Sequence, residues 1–243
     1  MFVDLFRHIK EFLRKVWMEG MSSEEYGNYL RRRGIHVGEN VHFRAPGSYE
    51  VDLTRPFLIT IGNNVDINRG LTLSTHDFGT FVFRNLYHDF VNSGGVISIG
   101  NNVVIGPNVT IMKNVTIGDN CIIGMGSIVT KPIPSNSVAV GIPARVVCSI
   151  DEYYKRRKKE SIEEAIVIGR ELFKIKGNLA IDDLREEWCT FLSKEEYDCH
   201  PELKEIVDHR LKDYLNEFLL KEKSFNSFDE YKKAVISSYR DNS

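Results

Sequence analysis

The sequence of 243 residues lacks several features that would indicate a function directly. Its four cysteines, Cys121, Cys148, Cys189 and Cys199, form no CxxC pair, which predicts free thiols in a reducing compartment. A formal charge of -2 provides no attraction to nucleic acid, so we expect no nucleic-acid partner. No apolar run reaches the roughly 20 residues of a membrane span, and the N-terminus shows no signal-peptide pattern. These absences predict a cytoplasmic protein.

The first 17 residues contain an amphipathic helical pattern. Large apolar side chains recur at helical spacing in FVDLFRHIKEFLRKVW, and basic side chains occupy the other faces. Such a helix more often packs against its own protein. The alternative is a helix that lies in a membrane interface, which would place the protein peripherally at the inner membrane face.

A six-residue period dominates residues 99–134, which read IGNNVV, IGPNVT, IMKNVT, IGDNCI, IGMGSI and VTKPIP. Ile or Val opens each hexad, and the fifth position, which includes Cys121, is mostly small or β-branched. A period of six fits no amphipathic helix, but it suits short strands joined by tight turns, with the first residue inside. Three hexads make one triangular coil, and stacked coils predict a parallel β-helix.

The same period occurs upstream, in VGENVHF and IGNNVDINRGLTLS, and gives about five coils between Ile35 and Val147. Two segments interrupt it, roughly residues 44–57 and 78–95, and we expect both to leave the coils as loops. The second begins just after His76. Long excursions from a regular solenoid often carry binding residues, so this histidine is the first candidate for a functional group.

These motifs closely resemble the hexapeptide-repeat acyltransferases of the left-handed β-helix superfamily, most nearly their galactoside-acetyltransferase-like and capsular-polysaccharide O-acetyltransferase branch. The similarity covers roughly residues 22–150. Its most specific part is IGMGSIVTKPIPSNSVAVGIPARVV, which looks like the terminal coil and exit loop of that family. The left-handed winding is implied by the resemblance, since the period itself does not dictate a hand.

The resemblance implies a homotrimer whose active sites lie in the grooves between subunits, with acetyl-CoA as the acyl donor and no metal. His76 matches the family's general base, which removes the proton from an acceptor hydroxyl as the oxygen attacks the thioester. We expect contacts to a sugar or nucleotide-sugar acceptor from polar residues in or beside the interruptions. These are Asp77, Asp66, Asn68, Arg55, Tyr87 and His88.

The last coils match the family's cofactor site. Backbone groups there hold the pantetheine arm, and cationic side chains suit the adenosine phosphates. The matching positions are Gly106, Pro107, Gly124 and Met125 for the arm, and Thr130, Lys131 and Arg145 for the phosphates. Relatives often have tryptophan where this chain has Val104 and a basic residue where it has Cys148. These departures predict weaker cofactor binding or another source of charge.

After Ile150 the hexads end, and helix-forming patterns continue to Arg240. We therefore expect three domains: an N-terminal helical segment over residues 1–34, the left-handed β-helix over 35–150 and a helical region over 151–243. Short family members lack the last of these. It is either a solvated helical addition, a cover for the acceptor site or a docking element for a partner.

The leading hypothesis is an acetyl-CoA-dependent O-acetyltransferase that acts on a sugar of a surface polysaccharide or its precursor. An N-acyltransferase of a nucleotide-linked amino sugar shares the fold and stays open, as does a non-catalytic trimeric scaffold. A γ-class carbonic anhydrase uses three histidines on zinc. The hexads from Ile99 to Pro134 contain no histidine, which argues against that class.

Overall fold

The computed structural model describes Leu13 and residues 16–241. The chain forms two compact units, Met1–Tyr153 and Tyr154–Ser243; the predicted domain boundaries after residues 34 and 150 stay predictions. The predicted amphipathic helix of residues 2–17 lies almost entirely outside the described residues. Within the described ranges, no helix has both the length and the apolar character that crossing a bilayer requires.

Short strands build the first unit. They are β1 His36–Val37, β2 His42–Phe43, β3 Glu50–Val51, β4 Ile59–Ile61, β5 Val65–Ile67, β6 Thr72–Ser74, β7 Ile97–Ile99, β8 Val103–Ile105, β9 Thr110–Met112, β10 Val115–Ile117, β11 Cys121–Ile123, β12 Ile128–Val129, β13 Ser137–Gly141 and β14 Ala144–Ser149. Three sheets run β1-β4-β7-β10, β2-β5-β8-β11-β13-β14 and β3-β6-β9-β12. Each coil contributes one strand to each sheet, and neighbours are parallel except at the β13-β14 hairpin. This arrangement confirms the predicted parallel β-helix.

The interior of the coils is filled by the first and fifth hexad positions, as the period predicts. Ile105, Ile111 and Ile123 open their hexads and are 0% exposed. The fifth-position residues Cys121 and Ser127 are also buried, and their small size leaves room for the neighbouring isoleucines. Burial of each large aliphatic side chain contributes about 1.5–3 kcal/mol, so the repeat stabilises the fold in proportion to the number of coils.

One corner of the coils is closed by asparagines in the left-handed backbone region, with φ of 54° at Asn102, 55° at Asn120 and 60° at Asn136. Asparagine adopts this region more readily than other residues with a Cβ atom. The amide of Asn102 donates to Oδ1 of Asn120, and that of Asn120 to Oδ1 of Asn136, each over 2.8 Å. Successive coils are thereby joined in register at this corner.

Among the described residues of the first unit, one helix lies before the strands and another lies in a connection between them. Helix α1 (Ser23–Arg32) precedes β1 and begins with a capping box, in which Ser22 and Glu25 satisfy each other's backbone N–H groups. Helix α2 (Thr80–Tyr87) lies in the long connection between β6 and β7, and none of its residues is buried. The segment 78–95 therefore leaves the coils. We call residues 76–96 the excursion.

The expectation that residues 44–57 also leave the coils is wrong in part. Strand β3 lies inside this segment and pairs with β6, with Val51 beside Leu73. In the same two coils, Phe43 pairs with Ile67. Between these two pairs, the coil that contains β3 is therefore two residues longer than the coil that contains β6. Tyr49, 8% exposed, fills the interior and donates its hydroxyl to the carbonyl of Ile67 over 2.9 Å. The added residues and the aromatic side chain hide the period.

The second unit is helical, which confirms the predicted helical region. Its helices are α3 Ile150–Lys176, which begins in the first unit, α4 Lys194–Cys199, α5 Pro201–Leu211, α6 Leu215–Leu219 and α7 Phe228–Asp241. Tyr231 of α7 is 0% exposed, stacks on Phe191 at 5.6 Å and donates to the carbonyl of Ala165 over 2.7 Å. Gly169 is required beside it, because a Cβ atom there would lie 2.5 Å from the tyrosine hydroxyl.

Substitution at the asparagine corner should separate backbone strain from hydrogen bonding. Asn120→Ala should lower the free energy of unfolding by roughly 1–3 kcal/mol, because alanine is strained at positive φ and both cross-coil bonds are lost. Asn120→Gly keeps the backbone conformation and should cost only about 1 kcal/mol. Denaturant and thermal midpoints measure both. Equal losses in the two variants would show that left-handed strain plays no part.

Candidate active site

His76 stands where the chain leaves the coils. Strand β6 ends at Ser74, whose hydroxyl donates to the carbonyl of His76 over 2.8 Å. Between them Thr75 is 0% exposed, so the strand is still anchored one residue before the histidine. The imidazole is therefore attached to a rigid strand end, although the backbone after it is irregular.

Asp52 holds the imidazole from the neighbouring coil. This residue directly follows β3, which pairs with β6, and its Oδ2 lies 2.5 Å from Nδ1 of His76. The same oxygen accepts the hydroxyl of Thr75, and Oδ1 accepts the N–H and hydroxyl of Thr54 over 2.9 and 2.6 Å. The carboxyl side chain is 7% exposed and that of His76 is 25% exposed. The dyad is thus largely buried on its carboxylate side and accessible on its imidazole side.

The electrostatics of the dyad fix the tautomer of the histidine. Burial raises the pKa of the Asp52 carboxyl, but the hydrogen bonds from Thr54, Thr75 and His76 outweigh it and bring the pKa well below its usual range. An ionised carboxylate only accepts hydrogen bonds, so Nδ1 of His76 carries the proton. In the neutral ring Nε2 has the lone pair, and this atom makes no hydrogen bond with the described residues. The ring can accept a proton at Nε2.

Polar contacts hold the two ends of the excursion. Asp77 accepts the N–H of Gly79 over 3.0 Å at Oδ1, and at Oδ2 it accepts the hydroxyl of Ser93 over 2.7 Å and the ammonium of Lys113. These partners, Lys113 foremost, lower the pKa of Asp77. Arg55 donates to the carbonyl of Ser93 over 2.5 Å and also to the side chain of Asn92. The structure therefore brings Arg55, His76 and Asp77 to the base of the excursion, where its two ends meet.

The other predicted acceptor residues lie elsewhere. Asp66 is in β5 and forms a bidentate ion pair with Arg44 at 2.7 and 2.5 Å, and Asn68 follows β5 and donates to the carbonyl of Ile105 over 3.3 Å. Tyr87 ends α2 with 68% of its surface exposed, and His88 follows it in the left-handed backbone region. In the part of the chain that the structure describes, His, Cys, Asp and Glu side chains form no group that could hold a metal ion.

The predicted cofactor residues lie on or beside the last coils. Two glycines are required by packing: a Cβ atom at Gly106 would lie 2.7 Å from the backbone nitrogen of Met125, and one at Gly124 would lie 2.5 Å from Val140. The side chain of Met125 is 75% exposed. Lys131 follows β12, Arg145 lies in β14, and both are exposed. Neither forms an ion pair with a carboxylate among the described residues.

Two residues of this site, Asp52 and Lys113, are absent from the expectations drawn from sequence. Register is the signal that finds them: Val51 pairs with Leu73, and Ser74 pairs with Met112. Asp52 and Lys113 therefore follow the two strands on either side of β6. Lys113 could have been found in this way because its hexad is regular. Asp52 could not, because the hexad pattern around β3 is hidden.

Comparison with known proteins identifies the family of the chain. Residues 97–131 match the model described as Bacterial transferase hexapeptide (six repeats). Galactoside O-acetyltransferase of Escherichia coli K12 is 37% identical over 166 residues, which cover 63% of this chain and 74% of that protein. Protein CapG of Staphylococcus aureus is 37% identical over 141 residues, which cover 58% of this chain and 81% of that protein.

This chain belongs to the hexapeptide-repeat transferase family. The resemblance seen in its motifs is confirmed, and with it the left-handed β-helix class and the enzyme class, an acyltransferase. A solved galactoside acetyltransferase in complex with coenzyme A is 27% identical over 60% of this chain and 82% of its own, with a TM-score of 0.36. The family model begins at residue 97, so the part of this hexapeptide-repeat transferase that contains Asp52 and His76 lies outside the matched repeats.

The dyad of this hexapeptide-repeat acyltransferase can be tested by Asp52→Asn. We expect the downfield Nδ1 proton resonance of His76 to be lost and turnover to fall roughly 10²-fold, because an amide can present N–H₂ to the ring and no longer fixes its orientation. Proton NMR and thiol release from acetyl-CoA measure the two effects. Asp182→Asn, at an exposed site in the second unit, is the matched control. If Asp52→Asn kept both the downfield resonance and wild-type turnover, Asp52 would have no role in orienting His76.

Proposed function

We propose that the protein is an acetyl-CoA-dependent O-acetyltransferase that acts on a sugar hydroxyl of a surface polysaccharide or its precursor, with His76 as the general base. The observation that carries the proposal is the dyad: Nδ1 of His76 lies 2.5 Å from an ionised carboxylate, and Nε2 is left free. Membership of the hexapeptide-repeat family supports the acetyl-transfer chemistry, and the E. coli relative is named a galactoside O-acetyltransferase.

In the proposed reaction, Nε2 of His76 removes the proton of the acceptor hydroxyl as the oxygen attacks the thioester carbon. The new C–O bond forms, the C–S bond breaks, and the imidazolium returns the proton to the leaving thiolate. The products are an acetyl ester and free CoA thiol. Asp52 stabilises the imidazolium during the reaction, because its ionised carboxylate faces the opposite ring nitrogen.

We assign the acyl donor to the last coils. The pantetheine arm would lie along the backbone at Gly106, Pro107, Gly124 and Met125. The N–H groups of Gly106 and Gly124 already donate to the carbonyls of Ile123 and Ala139, so the arm would bind the backbone groups that the coils leave unpaired. Thr130, Lys131 and Arg145 are exposed, and the two cations are free of carboxylate partners within the described chain, so they are available for phosphates. An acetyl-CoA substrate agrees with the cytoplasmic location expected from composition.

We further propose that three chains form the active unit and that the acceptor binds where the excursion of one chain meets the next. The apolar side chains of α2 support this, since Phe81 and Leu86 are each 62% exposed in the single chain. Asp66, Asn68, Tyr87 and His88 are the candidates for hydroxyl contacts in that groove. Asp66 already binds Arg44, and Asn68 already donates to the carbonyl of Ile105. Each would have to keep this contact while it also binds a sugar hydroxyl.

The decisive experiment replaces the base. His76→Ala should lower turnover by a factor on the order of 10²–10⁴ while the oligomer and the KM for acetyl-CoA stay unchanged. Thiol release is measured against a panel of galactosides, nucleotide sugars and oligosaccharides, with size-exclusion chromatography for assembly. His36→Ala, at an exposed strand position, is the control for loss of a histidine. Wild-type turnover in His76→Ala would contradict the proposal.

The nature of the acceptor atom predicts a pH effect. A sugar hydroxyl stays protonated throughout the accessible pH range, so the deficit of His76→Ala should persist up to about pH 9. An amino-sugar nitrogen can lose its proton to solvent, and the deficit would then shrink as the pH rises. Rates of wild type and His76→Ala between pH 6 and about 9, on hydroxyl and amine acceptors, distinguish O-acetylation from N-acetylation.

A further inference from the structure

The excursion is joined at its two ends. The backbone N–H of Gly95 donates to the carbonyl of Thr75 over 2.9 Å, so the returning chain lies directly beside the residue that precedes His76. Between these ends, α2 buries none of its residues. Few apolar contacts therefore order the excursion in the single chain, and the polar contacts at its base must do so.

Lys113 links the exit and the return of the excursion. Its ammonium donates to Oδ2 of Asp77, one residue after the histidine, and to the hydroxyl of Ser93, which belongs to the returning chain. That hydroxyl also donates to Asp77 over 2.7 Å, so the three side chains form a closed set. The lysine side chain is 27% exposed and comes from the rigid end of β9. A fixed strand thus holds both ends of a segment that has little core of its own.

Arg55 holds the returning chain from the opposite side. Arg55 lies in the connection between β3 and β4, and its guanidinium donates to the carbonyl of Ser93 and to the side chain of Asn92. The guanidinium lies close to the backbone of Gly94, where a Cβ atom would be 2.3 Å from one of its nitrogens, so a larger residue there would displace the end of the Arg55 side chain. The returning chain is therefore held between a cation from the coil before β6 and a cation from the coil after it.

We propose that Lys113 is a positioning residue for the reaction. By binding both Asp77 and Ser93, it fixes the conformation of the backbone that carries His76. The inference rests on the proposed role of His76 as the base, and it assigns Asp77 to the anchoring of the excursion. Lys113 does not contact the reacting atoms, because its ammonium is engaged with these two residues. Exposed ion pairs contribute little to global stability, so the coils should stay folded without it. A displacement of about 1 Å at a catalytic group is enough to slow a reaction severely.

The test compares Lys113→Met with Lys113→Arg, and with Lys159→Met on the exposed side of α3 as the matched control. For Lys113→Met we expect kcat to fall roughly 10- to 100-fold with the KM for acetyl-CoA unchanged. Lys113→Arg keeps the charge and donors and should restore most of the rate. Amide hydrogen exchange over residues 78–95 should be faster in Lys113→Met, on the order of tenfold, with strands β10–β12 unchanged.

A double-mutant cycle isolates the contact. If Lys113 acts through Asp77, the losses of Asp77→Asn and Lys113→Met should not add. Loss of turnover without faster exchange would overturn the proposal in favour of a direct substrate contact. Faster exchange with full turnover would overturn it too, because the excursion would then be tethered without any effect on His76. Wild-type activity in His76→Ala would reject the proposed base, whereas the exchange data would still report on the tether.

Discussion

Parallel stacking of the coils in one register is the constraint on which the rest of the structure depends. Because a hexad position decides whether a side chain faces inward, the register that buries Leu73 against Val51 and Ile111 also determines which residues follow the strands on the outside. Asp52, the Thr75–His76 pair and Lys113 come from three coils, yet each directly follows a strand of the same sheet. The register thus brings these residues of the candidate site together at the ends of neighbouring strands.

The same constraint makes an ionised, buried carboxylate tolerable. Burial alone disfavours the charged form of Asp52, and an unpaired charge at this depth would be costly. Its oxygens instead accept four hydrogen bonds, from Thr54, Thr75 and His76. Two of these donors follow β6, which is fixed by the stacked coils, so the carboxylate is solvated by groups that are already ordered. A charge held in this way gives the imidazole a defined tautomer.

The sequence predicts the structure of the first unit only where the six-residue period is regular. The hexads predicted the coils and the buried positions because isoleucine and valine recur every six residues, and the helical pattern after Ile150 predicted the second unit. The period is lost around Tyr49, where two added residues and an aromatic side chain replace a regular hexad, and Asp52 is hidden with it. The roles of Asp77 and Lys113 depend on side-chain geometry within the excursion, which follows no repeat. His76 could be found only because it stands where the repeat ends.

A repeat of this kind can hold a functional insertion without loss of order, and the register shows why. Ile99 pairs with Ile117, 18 positions later, whereas Ile61 pairs with Ile99, 38 positions later. The excursion therefore adds 20 residues to one coil and leaves the pairing of the next strand unchanged. Ordering the added chain reduces its conformational entropy. The polar contacts at its base and the contacts of its exposed apolar side chains must offset this loss. The buried side chains of the coils stabilise the first unit, so the sequence of the insertion is not constrained by core packing and can be adapted to the reaction.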